Sequence, residues 1–119
     1  MAAVSVLIVE DEWLIARDYI SVIHGRGHTI VGPASTVASA LSLLETERVD
    51  VVVLDFQLGG QTSAPIVDKL NADSIPFLVV TGHASSDLPR EFASGAMLAK
   101  PGSPEHLIAL IEQLSKPGS

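Results

Sequence analysis

Short apolar runs, each apolar at every position, recur along this chain at regular intervals. They are Val6-Leu7-Ile8-Val9, Val51-Val52-Val53-Leu54, Phe77-Leu78-Val79-Val80 and Ala96-Met97-Leu98-Ala99. A strand with one wet face alternates apolar and polar residues. A run without alternation belongs to a parallel sheet covered on both faces. Between the runs the period changes to that of a helix. Ile15, Tyr19, Val22 and Ile23 form one helical stripe, which Gly25 and Gly27 end. Thr29 to Gly32 reads as a further short strand. Val37, Ala40, Leu41 and Leu44 mark a second helix capped by Ser35 or Thr36. Gly59-Gly60 makes a loop, and Pro65 opens a third helix running to about Leu70. Pro89 confines the segment after Val80 to a short, irregular or one-turn element. Ser103-Pro104-Glu105 starts a last helix with a cap, an N1 proline and an acid against the dipole, and Leu107, Leu110, Ile111 and Leu114 form its apolar face. The expected fold is therefore α/β: a (βα)5, doubly wound, parallel five-stranded sheet.

Length and composition narrow the function. At 119 residues the chain is expected to be one domain, 1–119. It has no cysteine, so neither a disulfide framework nor a thiolate ligand enters the argument. Fourteen acidic residues against seven scattered basic ones leave no basic patch for a phosphate backbone, which argues against a nucleic-acid partner. No apolar stretch reaches the ~20 residues of a membrane span, and no signal-peptide pattern opens the chain. A soluble, cytoplasmic protein without a membrane partner is expected.

In an open α/β sheet, ligands bind beyond the carboxyl ends of the strands, where the strand order reverses. Glu10-Asp11-Glu12 follow the first strand, Asp55 ends the third, Thr81 follows the fourth and Lys100 the fifth. Carboxylates drawn to one rim repel one another unless a cation joins them. Mg²⁺ suits such a site, because it takes one or two carboxylates and keeps several waters. A carboxylate beside that ion can attack a phosphoryl group and become an acyl phosphate. Asp55, alone at the end of a fully apolar strand, is the natural nucleophile. Asp11 and Glu10 form the metal side, Lys100 the charge clamp, and Thr81 a donor to the phosphoryl oxygens. Taken singly these residues have plainer readings: a solvated helix start, a turn threonine, a surface lysine. Their shared position at strand ends joins them into one site.

The runs Val-Leu-Ile-Val-Glu-Asp-Glu (6–12), Val-Val-Val-Leu-Asp (51–55) and Val-Val-Thr-Gly (79–82), followed by Lys100-Pro101, resemble the receiver domain of bacterial two-component response regulators. The resemblance covers essentially the whole chain. It implies a flavodoxin-like strand order, 2-1-3-4-5, and a phosphoryl-accepting switch, not an enzyme beyond slow self-dephosphorylation. Asp55 would accept phosphate from a histidine kinase or histidine phosphotransfer protein. Asp11, Asp55 and the backbone carbonyl of Gln57 would ligate Mg²⁺, with Glu10 acting through water. Thr81 and Lys100 would contact the phosphoryl group, and the Lys100–Pro101 bond would be cis. Gln57 and His83 hold positions that tune dephosphorylation. Output would pass to a downstream protein partner, with homodimerisation on phosphorylation a further expectation.

Several residues depart from the family pattern. Met97 stands where receivers often carry an aromatic switch residue, so coupling from site to surface must differ or be weaker. The loop Phe56-Gln57-Leu58-Gly59-Gly60-Gln61 is glycine-rich, and the fourth helix carries Pro89. These features resemble a subset of stand-alone, single-domain receivers with an atypical fourth helix. They also keep open an interaction module that works without phosphorylation. A flavin carrier or an aspartate-based phosphatase on the same topology fits poorly. The first would have its phosphate repelled by Glu10-Asp11-Glu12, and the second would want an acid where Gln57 stands. His24 and His28 are separated by glycines, which argues against a helical metal pair. Trp13, beside the acidic cluster, is expected to pack on the rim and to report Mg²⁺ by fluorescence.

Overall fold

Three neighbouring strands are buried along nearly their whole length, and they fix the centre of the molecule: β1 (Ser5–Val9), β3 (Val51–Asp55) and β6 (Phe77–Thr81). The computed structural model describes residues 3–82, 88–100 and 102–115. β2 (Thr29–Ala34) and β7 (Ala96–Ala99) complete a five-stranded sheet in the order β2-β1-β3-β6-β7, with every pairing parallel. A separate two-stranded antiparallel hairpin, β4 (Gln57–Leu58) with β5 (Gln61–Thr62), follows β3 directly. Setting that hairpin aside, the strand order is 2-1-3-4-5, and the expected α/β fold is the observed one.

Because the strands are apolar on both faces, each face needs its own cover. Val6, Ile8, Val51, Val53, Leu78 and Val80 pack against α1 (Trp13–Gly25) and α4 (Pro104–Leu114) through Ala16, Ile23, Leu107 and Ile111. The opposite face, with Leu7, Val52, Leu54, Phe77 and Val79, packs on α2 (Val37–Thr46) and α3 (Ala64–Ala72) through Ala40, Ile66, Val67 and Leu70. Alternate residues of one strand thus serve two cores, as a two-residue side-chain period requires.

The helix boundaries follow local chemistry. Thr36 rather than Ser35 caps α2, in a reciprocal capping box with Ser39. Ser103 caps α4 by accepting from the His106 N–H. α3 runs two residues beyond the expected Leu70 and gives way to Ser74 in the left-handed region. β2 also runs further than Gly32, through a cis Gly32–Pro33 bond to Ala34, with a register shift against β1. A proline is tolerated there because β2 is an edge strand. Gly32 is required, since a Cβ would meet the Ala34 nitrogen at 2.8 Å. Ahead of β7 a 3-10 turn, Arg90–Ser94, starts just after Pro89 and buries Phe92 edge-on against Phe56, ring centroids 5.2 Å apart. This matches the short element that Pro89 implied.

Candidate functional site

The strand order reverses between β1 and β3, and the carboxyl ends of these two strands carry the acidic residues. Parallel register sets Val9 beside Leu54, so Glu10 and Asp11 emerge next to Asp55. Oxygens of Glu10, Asp11 and Asp55 lie within 4.8 Å of one another. On the other side of β3, β6 ends at the buried Thr81. The Lys100 N–H donates to the Thr81 carbonyl at 2.9 Å, which fixes where the lysine leaves β7. Its Nζ then donates to Asp55 Oδ2 at 2.8 Å and stands 3.6 Å from Glu10 Oε2.

Glu10 is only 3% exposed. Its Oε1 accepts the Glu12 N–H at 3.2 Å, but Oε2 is buried without a hydrogen bond. Burial, then the charge of Asp55, push its carboxyl up to about 7, and the Glu12 N–H and Lys100 only partly oppose them. Burial also works against the Lys100 ammonium. The hydrogen bond and charge of Asp55 outweigh it and hold Lys100 above its ordinary value. Next to Lys100, between α1 and α4, a groove of about 470 Å³ is lined by Tyr19, Leu98, Pro104 and Leu107. Burial pushes the Tyr19 phenol up to about 12.

Three carboxylates at one point, one of them with an orphaned buried oxygen, form a donor set suited to a hard divalent cation. A single ammonium offsets them incompletely. The arrangement can therefore hold a cation and present one carboxylate, Asp55, between that charge and Lys100.

The other expected residues are placed differently. Gln57 begins β4, and its N–H stands 3.5 Å from Asp55 Oδ1, at the long limit of a hydrogen bond. Met97 sits within β7 and packs on the α2–α3 face; with Phe92 and Leu88 it lines a groove of about 350 Å³. His83 and Pro101, and with Pro101 the expected cis bond, lie outside the described residues. Trp13 corrects an expectation: it is 62% exposed and does not pack on the rim. It opens α1 beside the equally exposed Leu14. The composition of the site gave no sign of one contact, the Gly59 N–H donating to Asp11 Oδ2 at 2.9 Å. The only hint was the Gly59-Gly60 pair, a hairpin-turn sequence.

Residues 6–112 match the response regulator receiver domain. The chain belongs to that family. This receiver is 33% identical over 115 residues to the phyllosphere-induced regulator PhyR of Methylorubrum extorquens, an alignment spanning 93% of this chain and 43% of that protein. Its fold superimposes on the solution structure of SdrG from Sphingomonas melonis Fr1 with a TM-score of 0.82 and 34% identity, covering 96% of this chain and 98% of SdrG. It matches the anti-anti-sigma factor PhyR of Bartonella quintana at 28% identity and a TM-score of 0.82, covering 96% of this chain and 48% of that one. The receiver spans about half the length of the PhyR proteins it matches. Receivers generally act as phosphoryl-accepting switches of two-component systems, not as catalytic enzymes, and the acidic cluster is typical of their metal site. Among the described residues no helix is long and apolar enough to cross a membrane.

Proposed function

We propose that this receiver takes a phosphoryl group onto Asp55, in a Mg²⁺-dependent reaction, from the phosphohistidine of a histidine kinase or histidine phosphotransfer protein. One observation carries the reading: Asp55 is held by Lys100 at 2.8 Å while its oxygens share a 4.8 Å cluster with Glu10 and Asp11. Asp11, Asp55 and the Gln57 carbonyl would hold the cation, with Glu10 through water. Once bound, it supplies positive charge that offsets both the carboxylates and the transferring phosphoryl oxygens.

Lys100 occupies Oδ2, which leaves Oδ1 of Asp55 to attack phosphorus. The new Asp55 O–P bond forms as the P–N bond to the donor imidazole breaks, and the imidazole nitrogen keeps that electron pair and takes a proton from solvent. Lys100 then pairs with a phosphoryl oxygen, and the Thr81 hydroxyl donates to another. Gln57 and His83 tune the return reaction with water, and Met97 takes the place of the aromatic switch. Output runs through a protein contact, with homodimerisation a further outcome of phosphorylation. The anti-anti-sigma designation of the Bartonella relative supports a protein partner.

The test is incubation with acetyl phosphate and Mg²⁺, read on a phosphate-affinity gel. The wild type gives a retarded band that Asp55→Asn and EDTA both remove. A wild type that never shifts sinks the reading and leaves an interaction module independent of phosphorylation.

A further inference from the structure

The chain leaves β3 at Asp55 and turns at once into the β4–β5 hairpin, closed by two residues, Gly59 and Gly60. Their φ angles are 53° and 90°, both positive, as a two-residue type I′ turn requires. The hairpin is not a loose loop. Leu58 is buried, and Ser63 closes its base by donating both N–H and Oγ to the Phe56 carbonyl, at 2.8 and 3.3 Å. From this anchored base the Gly59 N–H reaches the opposite strand end and donates to Asp11 Oδ2 at 2.9 Å across 48 residues of sequence. Two residues earlier, the Gln57 N–H faces Asp55 Oδ1. One hairpin thus sets backbone amides against carboxylates from both β1 and β3.

We propose that the Gly59–Gly60 hairpin is the positioning element of the cation site, holding Asp11 through the Gly59 N–H and placing the Gln57 carbonyl by the same turn. The inference rests on the Mg²⁺-dependent reading above and deepens it. A carboxylate ligand needs a partner for its outer oxygen. That partner orients the ligand, and its loss typically costs roughly 10–100-fold in metal affinity. With Oδ2 of Asp11 taken by Gly59, the second oxygen is left for the cation. The Gln57 carbonyl lies in the same short strand as the turn, so a hairpin that changes conformation displaces two ligands together. By linkage, the cation should also order the hairpin.

The position discriminates between substitutions. Gly59→Pro removes the N–H and cannot adopt φ near 53°. Gly59→Asn keeps the N–H and yields an Asn-Gly pair, the preferred type I′ sequence. Mg²⁺ binding is titrated in the purified chain through Trp13, its one tryptophan, two residues from Asp11. Gly59→Pro is expected to weaken Mg²⁺ binding by roughly 10–100-fold, whereas Gly59→Asn, which keeps the N–H, is expected to titrate with the wild type. Melting in EDTA reports folding separately. A folded Gly59→Pro that titrates with the wild type overturns the hairpin's role and leaves Asp55 phosphorylation standing. A wild type without any saturable Mg²⁺ response, by fluorescence or calorimetry, overturns both. Where Gly59→Pro does not fold, the wild-type Gly59 amide decides by NMR. Protection from exchange and a shift saturating at the Mg²⁺ midpoint support the role, and an open, unresponsive amide overturns it.

Discussion

Lys100 Nζ bonds Asp55 Oδ2 at 2.8 Å but stops 3.6 Å short of Glu10 Oε2, so one ammonium serves two carboxylates unequally. From Lys100, Asp55 receives a charge-assisted hydrogen bond and Glu10 only a nearby charge. Replacing Lys100 by Met, which keeps the length of the stem, removes the clamp on Asp55 and on the incoming phosphoryl group. Removing one electrostatic donor of this kind costs on the order of 10²-fold in rate. The retarded band in acetyl phosphate should therefore form at least about tenfold more slowly in Lys100→Met. Time courses that match the wild type would remove Lys100 from the reaction.

Glu10 makes stability depend on pH. Its carboxyl is raised from 4.5 to about 7, chiefly by burial and then by Asp55. Between those values the folded state binds more protons than the unfolded state, so stability falls as pH rises. The contribution is complete below about 4.5 and is gone once pH passes about 7. In EDTA, melting temperature should decline across that window, and Glu10→Gln should flatten the decline. Lys100→Met should move the window upward, because Lys100 lowers the Glu10 value. Mg²⁺ favours the ionised carboxylate, so its affinity should climb with pH over the same range. A wild-type curve as flat as that of Glu10→Gln would count against this account.

The sheet was legible because Val51–Leu54 and its counterparts are apolar at successive positions, which only a strand covered on both faces tolerates. Once strand ends are known, Glu10, Asp11, Asp55, Thr81 and Lys100 fall on one rim by topology alone. Contacts without side-chain chemistry were not legible. The Gly59 amide on Asp11 is a backbone donor brought across by a turn, and no residue pattern marks its target. The exposure of Trp13 was missed for a related reason: adjacency to Asp11 in sequence says nothing about which side of a helix start faces solvent. β2 outran its expected end because Pro33 reads as a breaker, whereas an edge strand with a register shift absorbs it.

Gly95 lies against the ring of Phe77, and a Cβ there would fall inside the ring's contact distance. Phe77 is buried at the start of β6, in the core shared with Val52 and Phe92. The ring must shift to admit a Cβ, and overpacking of this kind costs about 1–3 kcal/mol. Gly95→Ala should lower the urea midpoint accordingly. Pairing it with Phe77→Leu should recover part of the loss, since the smaller side chain removes the clash. Additive losses in the double variant would show that Gly95 matters for another reason.

At the pole opposite Asp55, Glu112 on α4 is tied to Arg26 and His28, more than 80 residues earlier in sequence. Its Oε2 meets His28 Nε2 at 3.0 Å, and its Oε1 accepts from Arg26 Nη2 at 2.9 Å. His28, 4% exposed, also accepts the Val4 N–H on Nδ1 at 3.2 Å, so the proton belongs on Nε2, donated to Glu112. The Arg26 hydrogen bond, then that of His28, hold the Glu112 carboxyl below its ordinary value. Its contribution is present above about 4.5 and is lost as pH falls through the lower folded value. Glu112→Ala strands a buried His28 N–H without its acceptor, at a cost of about 1–3 kcal/mol. Arg26, more than half exposed, can return to water, so Arg26→Ala should cost far less. Urea titrations should therefore rank Glu112→Ala well below Arg26→Ala in stability, while both accept phosphate from acetyl phosphate at the wild-type rate. Equal midpoints for the two variants would mean that the surface ion pair, not the buried histidine, is what Glu112 contributes.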